Sequence, residues 1–265
     1  MVTPAETEWR PREIAGAFAL RMCDSSGCEM QRYLLSPHAY VCAADGHAVF
    51  LDLKRDRYSA LDPGDIPFVR DQIRGWSTLR LPDPAASADD NGANAILQQL
   101  LDEGLVTDDE RRGKEVSCVQ VPAPAHSLYN ISPLRPKAEE LRVFLSACAA
   151  ATWMLRRWSI QRTVEWAREM KTPTAHEQAL CDSERVAELV GAYYRLQPFA
   201  FSPVNACLRN SLTLLLFLRR FGCFPTWFFG VAMAPWAAHS WLQHDGLLLN
   251  DSVTHIRKYV PILAV

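Results

Sequence analysis

Residues 205–222, NACLRNSLTLLLFLRRFG, constrain this chain more than any other stretch. At 3.6 residues per turn, Leu212, Leu215, Leu216, Leu218 and Phe221 spread over most of a helix circumference. A helix that is apolar nearly all round cannot lie on a surface, so it has to run through the middle of something. Its apolar run is far too short to span a bilayer, and the surroundings it needs are therefore a protein core. Asn205 can cap this helix, Cys207 falls in its first turn, and Gly222 stands where a helix stops. Beyond it the period drops to two, and residues 226–233, 239–243 and 247–250 read as strands. Helices packed on an antiparallel sheet make this an α+β arrangement.

The rest of the chain is patterned differently. Residues 33–61 hold an Asp45-Gly46 pair between Val41 and Val49-Phe50-Leu51, the mark of a tight hairpin, and a second reversal at 54–57. This predicts a three-stranded meander. Helices are expected over 65–76 and 94–103, the second running from Asn94 to a stop at Gly104, with the polar loop LPDPAASADDNG between them. A Pro-spaced stretch, 121–136, precedes Lys137-Ala138-Glu139-Glu140, whose acids suit the positive end of a helix over 137–157. Further helices are expected over 160–171 and, after Ser183 as a cap, over 184–196, ended by Pro198. The division is thus 1–32 as an extension, 33–115 as a first domain, 116–136 as a linker and 137–265 as a second domain. No internal repeat is evident.

Charge excludes some partners. The 265 residues carry 28 Lys plus Arg against 30 Asp plus Glu, so there is no basic field for nucleic acid or an anionic membrane surface. The first thirty residues mix acids, Arg and Pro and match neither a signal nor a transit peptide, which points to the cytoplasm. Eight cysteines, at 23, 28, 42, 118, 148, 181, 207 and 223, are then expected to be reduced, since a chain this large needs no covalent staples. Cys23, Cys28, His38, Cys42 and His47 lie close in sequence, but there is no CxxC and the spacing fits no usual zinc pattern. Neither metal nor cofactor is expected.

Cys207 is where chemistry enters. A thiol in the first turn of a helix sits beside unpaired N–H groups and the positive end of the dipole, which favour thiolate. The same N–H groups can receive the oxygen of a tetrahedral intermediate. A base is also needed, and the histidines after Cys207 are His239, His244 and His255. If the hairpin loop is His244-Asp245-Gly246, residues whose numbers sum to 490 face each other, and His239 meets Asp251 on one face. A carboxylate there would hold the imidazole's tautomer and orientation. If the loop is only Asp245-Gly246, the sum becomes 491 and Asp251 points the other way. Both registers are open from sequence.

Blander readings stand beside these. Cys207 can be a small buried hydrophobe, His239 a structural histidine and Asp251 a strand end. His244 and Asp245 read as turn residues, and His255, past the hairpin, as the spare base. Trp236 and Trp241 suit a substrate groove or the core equally.

The segment CLRNSLTLLLFLRRFG, followed by WFFGVAMAPWAAHSWLQHDGLLLND, resembles the transglutaminase-like cysteine peptidases of lasso-peptide biosynthesis, the B proteins or leader peptidases. The helical Cys, the Gly-Val strand, Ala238-His239-Ser240-Trp241 and the Asn-Asp closing the hairpin occur in order over residues 205–251. The resemblance implies a transglutaminase-like, papain-like second domain with the triad Cys207, His239 and Asp251. It also implies that 33–115 is a winged-helix-like leader-recognition element, fused here although many relatives carry it separately. In that family the leader peptide adds as a strand to the sheet edge. The implied activity is removal of the leader from a ribosomally made precursor through a thioester, before a partner cyclase closes an isopeptide ring. Because an amine can take the same thioester, a transglutaminase or N-acyltransferase is the alternative enzyme. Outside enzymes, the alternative is a non-catalytic peptide-binding subunit.

Overall fold

The computed structural model describes residues 33–81, 90–129, 131, 134–170, 181–200 and 207–265. The extension with Cys23 and Cys28, most of the polar loop after residue 81, and the cap expected at Asn205 lie outside these residues. All described residues fall in one compact unit.

The first sheet follows the expected hairpins. Strands β2 (Ala39–Ala44), β3 (His47–Asp52) and β4 (Arg57–Leu61) pair antiparallel in that order, after a short β1 (Leu34–Leu35). Asp45 and Gly46 turn the first corner at φ 47° and 82°, the left-handed pair a two-residue hairpin requires. At the second corner the Asp52 carboxylate accepts the N–H groups of Lys54 and Arg55 at 2.9 and 3.1 Å. The helix expected over 65–76 is instead α1 (Ile66–Arg70) and a separate 3₁₀ turn, Trp76–Thr78. Gly75 interrupts it: φ is 82°, and a Cβ there would lie 2.4 Å from the Val116 carbonyl oxygen. Helix α2 (Asp90–Asp102) begins four residues before Asn94, and Gly104, at φ 66°, ends it as expected. Strand β5 (Val106–Thr107) then pairs with β1.

Residues 39–53 are apolar on both faces because both faces are covered. Val41, Ala48 and Phe50 pack with Ile66, Val69, Trp76 and the α2 leucines. The opposite face, Cys42, Ala44, Val49 and Leu51, belongs to the same hydrophobic core as Leu212, Trp227 and Leu263. The two halves therefore share a core.

Downstream come β6 (His126–Ser127), α3 (Ala138–Arg157), α4 (Ile160–Glu169), α5 (Ser183–Leu196) and α6 (Cys207–Arg219). They are followed by β7 (Thr226–Met233), β8 (Trp236–His244), β9 (Leu247–Leu248), α7 (Val253–Ile256) and β10 (Val260–Ala264). Asp182, one residue earlier than the expected Ser183, caps α5 by accepting the Arg185 N–H at 2.8 Å. The second sheet runs β10-β7-β8-β9-β6, and β6 lies parallel to β9 while its other pairs are antiparallel. The expected antiparallel sheet is thus mixed, because the Pro-spaced stretch adds a strand at its edge. Helix α6 is central as expected: Leu212, Leu214, Phe217 and Leu218 are fully buried, and it packs against α3, α5 and β8.

One expectation about the cysteines fails. Cys181, just before α5, and Cys223, just after the Gly222 turn, form a disulfide with Cα atoms 5.3 Å apart. Their 42-residue separation carries no sequence signal, since the approach is set by how α5 and α6 pack. Among the described residues no helix is long and apolar enough to cross a membrane.

Candidate active site

Cys207 is the first residue of α6 and is partly exposed. The His239 side chain and the backbone N–H groups of Ser240 and Leu208 lie near enough to its sulfur to favour thiolate. One turn into the helix, Ser211 Oγ lies 2.9 Å from Ser240 Oγ and accepts the indole N–H of Trp227 at 3.0 Å. Ser211 follows Cys207 by four residues and Ser240 directly follows His239. This buried hydroxyl pair therefore fixes the helix to the strand beside both reactive side chains.

His239 Nε2 lies 2.5 Å from Asp251 Oδ2, leaving Nδ1 for the thiol. Cys207, His239 and Asp251 thus meet, but not by the three-residue loop. The ladder pairs His244 with Leu247 and Gln243 with Leu248, the two-residue register, with Asp245 and Gly246 at φ 45° and 77°. Continued, that ladder would turn Asp251 to the wrong face. It continues by one bond, the Leu249 N–H donating to the Leu242 carbonyl oxygen at 2.9 Å, and stops there: the Asn250 side chain, not a main-chain carbonyl, accepts the Leu242 N–H at 2.8 Å. Ser127 of β6 donates to the Asp251 carbonyl oxygen at 2.5 Å, and Ser252 caps α7 by accepting the His255 N–H at 3.1 Å. Asp251 therefore reaches His239 from the corner after β9.

That corner brings in a residue read from sequence only as a spare base. His255 Nδ1 lies 3.0 Å from Asp251 Oδ1 and 2.8 Å from Oδ2. The signal was available as Asp251-Ser252 followed by His255: a cap residue after the carboxylate, and i,i+4 spacing on one helical face. Tyr259 closes the group, its ring 4.9 Å from His239 and 5.5 Å from His255.

The electrostatics favour an ion pair. Burial acts most strongly on His239 and pulls its pKa down, yet its interactions with the accepting Asp251 carboxylate and Cys207 sulfur outweigh burial and raise the imidazole to about 9. Burial pushes the Cys207 thiol up, but His239 and the two backbone N–H groups bring it below the ordinary thiol value. Asp251 is likewise opposed by burial and ends below the ordinary carboxylate value through His239, His255 and the Ser252 N–H. Elsewhere burial holds Cys42 at about 12 and Cys148 at about 11, as inert thiols. Cys207, His239 and Asp251 are each shifted toward the charged form, an arrangement suited to nucleophilic attack on a carbonyl.

Nearby aromatics differ in role. Trp241 is buried against Phe228, so it is core. Trp236 is half-buried and meets Tyr58 of β4 edge-on at 5.5 Å, which brings the first sheet to the strand that carries His239. His244 reaches the Cys181 carbonyl oxygen at 3.2 Å, and Asp245 sits in the turn as expected. His38 and His47 face different carboxylates, Asp52 and Asp62, so they and Cys42 do not assemble a metal site. His239, Asp251 and His255 do offer three donor atoms within 4.8 Å of one another. Ligands of a tetrahedral zinc ion stand roughly 3.3 Å apart, given bonds of about 2.0 Å. The 2.5 and 2.8 Å separations found are those of hydrogen bonds.

No curated protein and no solved structure matches the chain. Residues 143–264, which contain Cys207, His239, Asp251 and His255, match the family model described as Transglutaminase-like superfamily, so this part of the chain carries a transglutaminase-like domain.

Proposed function

We propose that the chain is a cysteine peptidase that binds a ribosomally made lasso-peptide precursor and removes its leader. The observation that carries this reading is the placement of His239 between the Cys207 thiol and the Asp251 carboxylate, at the start of a helix within the transglutaminase-like domain. Cys207 attacks the carbonyl carbon of the scissile amide as thiolate. The imidazolium of His239 gives its proton to the leaving amine, and a thioester remains. His239 then takes a proton from water, whose oxygen displaces the sulfur and releases the leader acid. Asp251 keeps the imidazole in the required tautomer throughout.

Binding of the leader is assigned to the first sheet. Among the described residues β4 is an edge strand, and an extended peptide can pair with such an edge through main-chain hydrogen bonds. Tyr58 on that strand touches Trp236, so a peptide on this edge lies close to the strand bearing His239. A cyclase is the partner that would use the freed core N-terminus.

The test is incubation of the full chain with a lasso precursor, followed by mass spectrometry. Wild type should release the leader as a free acid, and Cys207→Ala should lose cleavage while retaining precursor binding. Cleavage by Cys207→Ala would reject the thiol as nucleophile. A leader joined to an added amine rather than released as acid would make the chain an acyltransferase instead.

A further inference from the structure

We propose that His255 is a positioning residue for the triad, its Nδ1–H donating across both oxygens of Asp251 so that Oδ2 stays on His239. The inference rests on reading Cys207, His239 and Asp251 as a catalytic triad.

A carboxylate can accept about four hydrogen bonds, two on each oxygen. Here Oδ1 faces the Ser252 N–H at 2.6 Å and His255 at 3.0 Å. Oδ2 faces His239 at 2.5 Å and His255 at 2.8 Å. The two outer donors hold one oxygen each, and His255 bridges them. Without the bridge, the hydrogen bonds among the described residues that oppose rotation about the Cβ–Cγ bond of Asp251 are those from the Ser252 N–H and from His239. That rotation carries Oδ2 away from the imidazole.

The local sequence builds the bridge rigidly. Ser252 caps α7, whose single turn returns His255 to the residue four positions earlier. Tyr259 lies against both imidazoles, and the two rings meet edge-on at 5.0 Å. The groups that titrate or carry charge around His255 are Asp251 on its own corner, His239 from β8, and Tyr259 with the Lys258 ammonium over its ring. Tyr194 of α5, whose hydroxyl donates to the Leu249 carbonyl oxygen at 2.9 Å, is near enough to feel the Asp251 charge. The His255 side chain is 42% exposed, and Nδ1 is the nitrogen that faces Asp251. A histidine that merely covered the surface would leave the reactivity of Cys207 untouched.

Two substitutions separate hydrogen bonding from packing. Asn places an amide N–H where Nδ1–H stands and does not titrate; Phe keeps a ring against Tyr259 and has no donor. The readout is the rate of Cys207 alkylation by iodoacetamide as a function of pH, mapped by mass spectrometry, with Cys42 and Cys148 as slow internal references. Melting temperatures are measured alongside. His255→Phe is expected to slow Cys207 at neutral pH roughly tenfold, the order for losing one hydrogen bond to a charged group. His255→Asn is expected to stay within about threefold of wild type, by the same reasoning. A wild-type profile for His255→Phe overturns the proposal, as does an Asn variant slowed as much as Phe. If wild-type Cys207 shows no enhanced reactivity near neutral pH, the triad reading itself falls and takes this inference with it.

Discussion

Gly230 faces His239 across the β7–β8 ladder, and the structure dictates what replacing it by alanine would do. The new Cβ would stand 2.8 Å from two ring carbons of Trp241 and 3.1 Å from the Cβ of Tyr259. Carbon atoms rest comfortably at about 3.5–4.0 Å, so the indole would have to withdraw by roughly 0.7 Å or more. It has nowhere to go: Trp241 is 1% exposed and stacks on Phe228 with ring centroids 5.7 Å apart. Overpacking of this kind costs about 1–3 kcal/mol. For a chain of this size that lowers Tm by roughly 2–10 °C. The same movement reaches the site, because Trp241 and Tyr259 both stack on the His239 ring, at 6.1 and 4.9 Å. Gly230→Ala should therefore lose stability in scanning calorimetry and also lose the iodoacetamide reactivity of Cys207. Gly64→Ala is the control: no atom lies within 4 Å of its Cβ position, so it should be neutral or stabilising by up to about 1 kcal/mol. A Gly230→Ala variant with wild-type Tm and wild-type alkylation would refute the idea that this glycine exists to admit the aromatic wall.

Asp251→Asn removes the hydrogen bond that does most to raise His239. Returning the imidazole from about 9 to its ordinary 6.5 is worth about 3–4 kcal/mol, shared between Asp251 and Cys207. Alkylation of Cys207 near neutral pH should thus fall about tenfold, and an unchanged rate would exclude Asp251 as the partner. Stability carries the matching sign. A raised His239 pKa stabilises the fold fully below about 6.5 and loses that contribution as pH rises through about 9. The depressed Asp251 pKa contributes above the ordinary carboxylate value and is lost as pH falls through its folded value. The Tm gap between wild type and Asp251→Asn should therefore be widest at mildly acidic pH and narrow toward pH 9 and above, as thermal melts across pH would show.

Much of this was legible because local chemistry decided it. Asp45-Gly46 and Gly104 acted where turn and cap rules place them, and the apolar circumference of residues 212–218 correctly demanded a central helix. What escaped was set by tertiary contact. The ladder chose the two-residue loop, and Asp251 was rescued by Asn250, whose side chain replaces a main-chain partner and ends the strand. No periodicity encodes that exchange. Strand β6 is two residues long inside a Pro-spaced stretch, and only the neighbouring β9 edge makes it a strand. His255 lies past the hairpin and reads from sequence as a spare base, yet the cap at Ser252 returns it to the carboxylate. Similarly, Cys181 and Cys223 are joined by how two helices pack, and neither position announces the bond.

The shared core bears on how the two halves can be studied. A fragment comprising residues 137–265 would lose Ser127, which holds the Asp251 carbonyl oxygen, and β6, which pairs with β9. It would also lose Val49, Leu51 and Leu53, all at most 2% exposed, and uncover the apolar partners they meet in the second half. Burying one Val or Leu side chain contributes about 1.5–3 kcal/mol, so these three alone represent on the order of 5–9 kcal/mol. That is comparable to the whole stability of an ordinary domain. The fragment should therefore melt broadly or not at all, and its Cys207 should react like an ordinary thiol. Changes at the exposed Arg57 and Ser59 of β4, which leave the common core filled, are then the appropriate probes of the proposed peptide edge. A fragment that melts cooperatively, with wild-type reactivity at Cys207, would instead mean that the first sheet packs against a transglutaminase-like domain already complete without it.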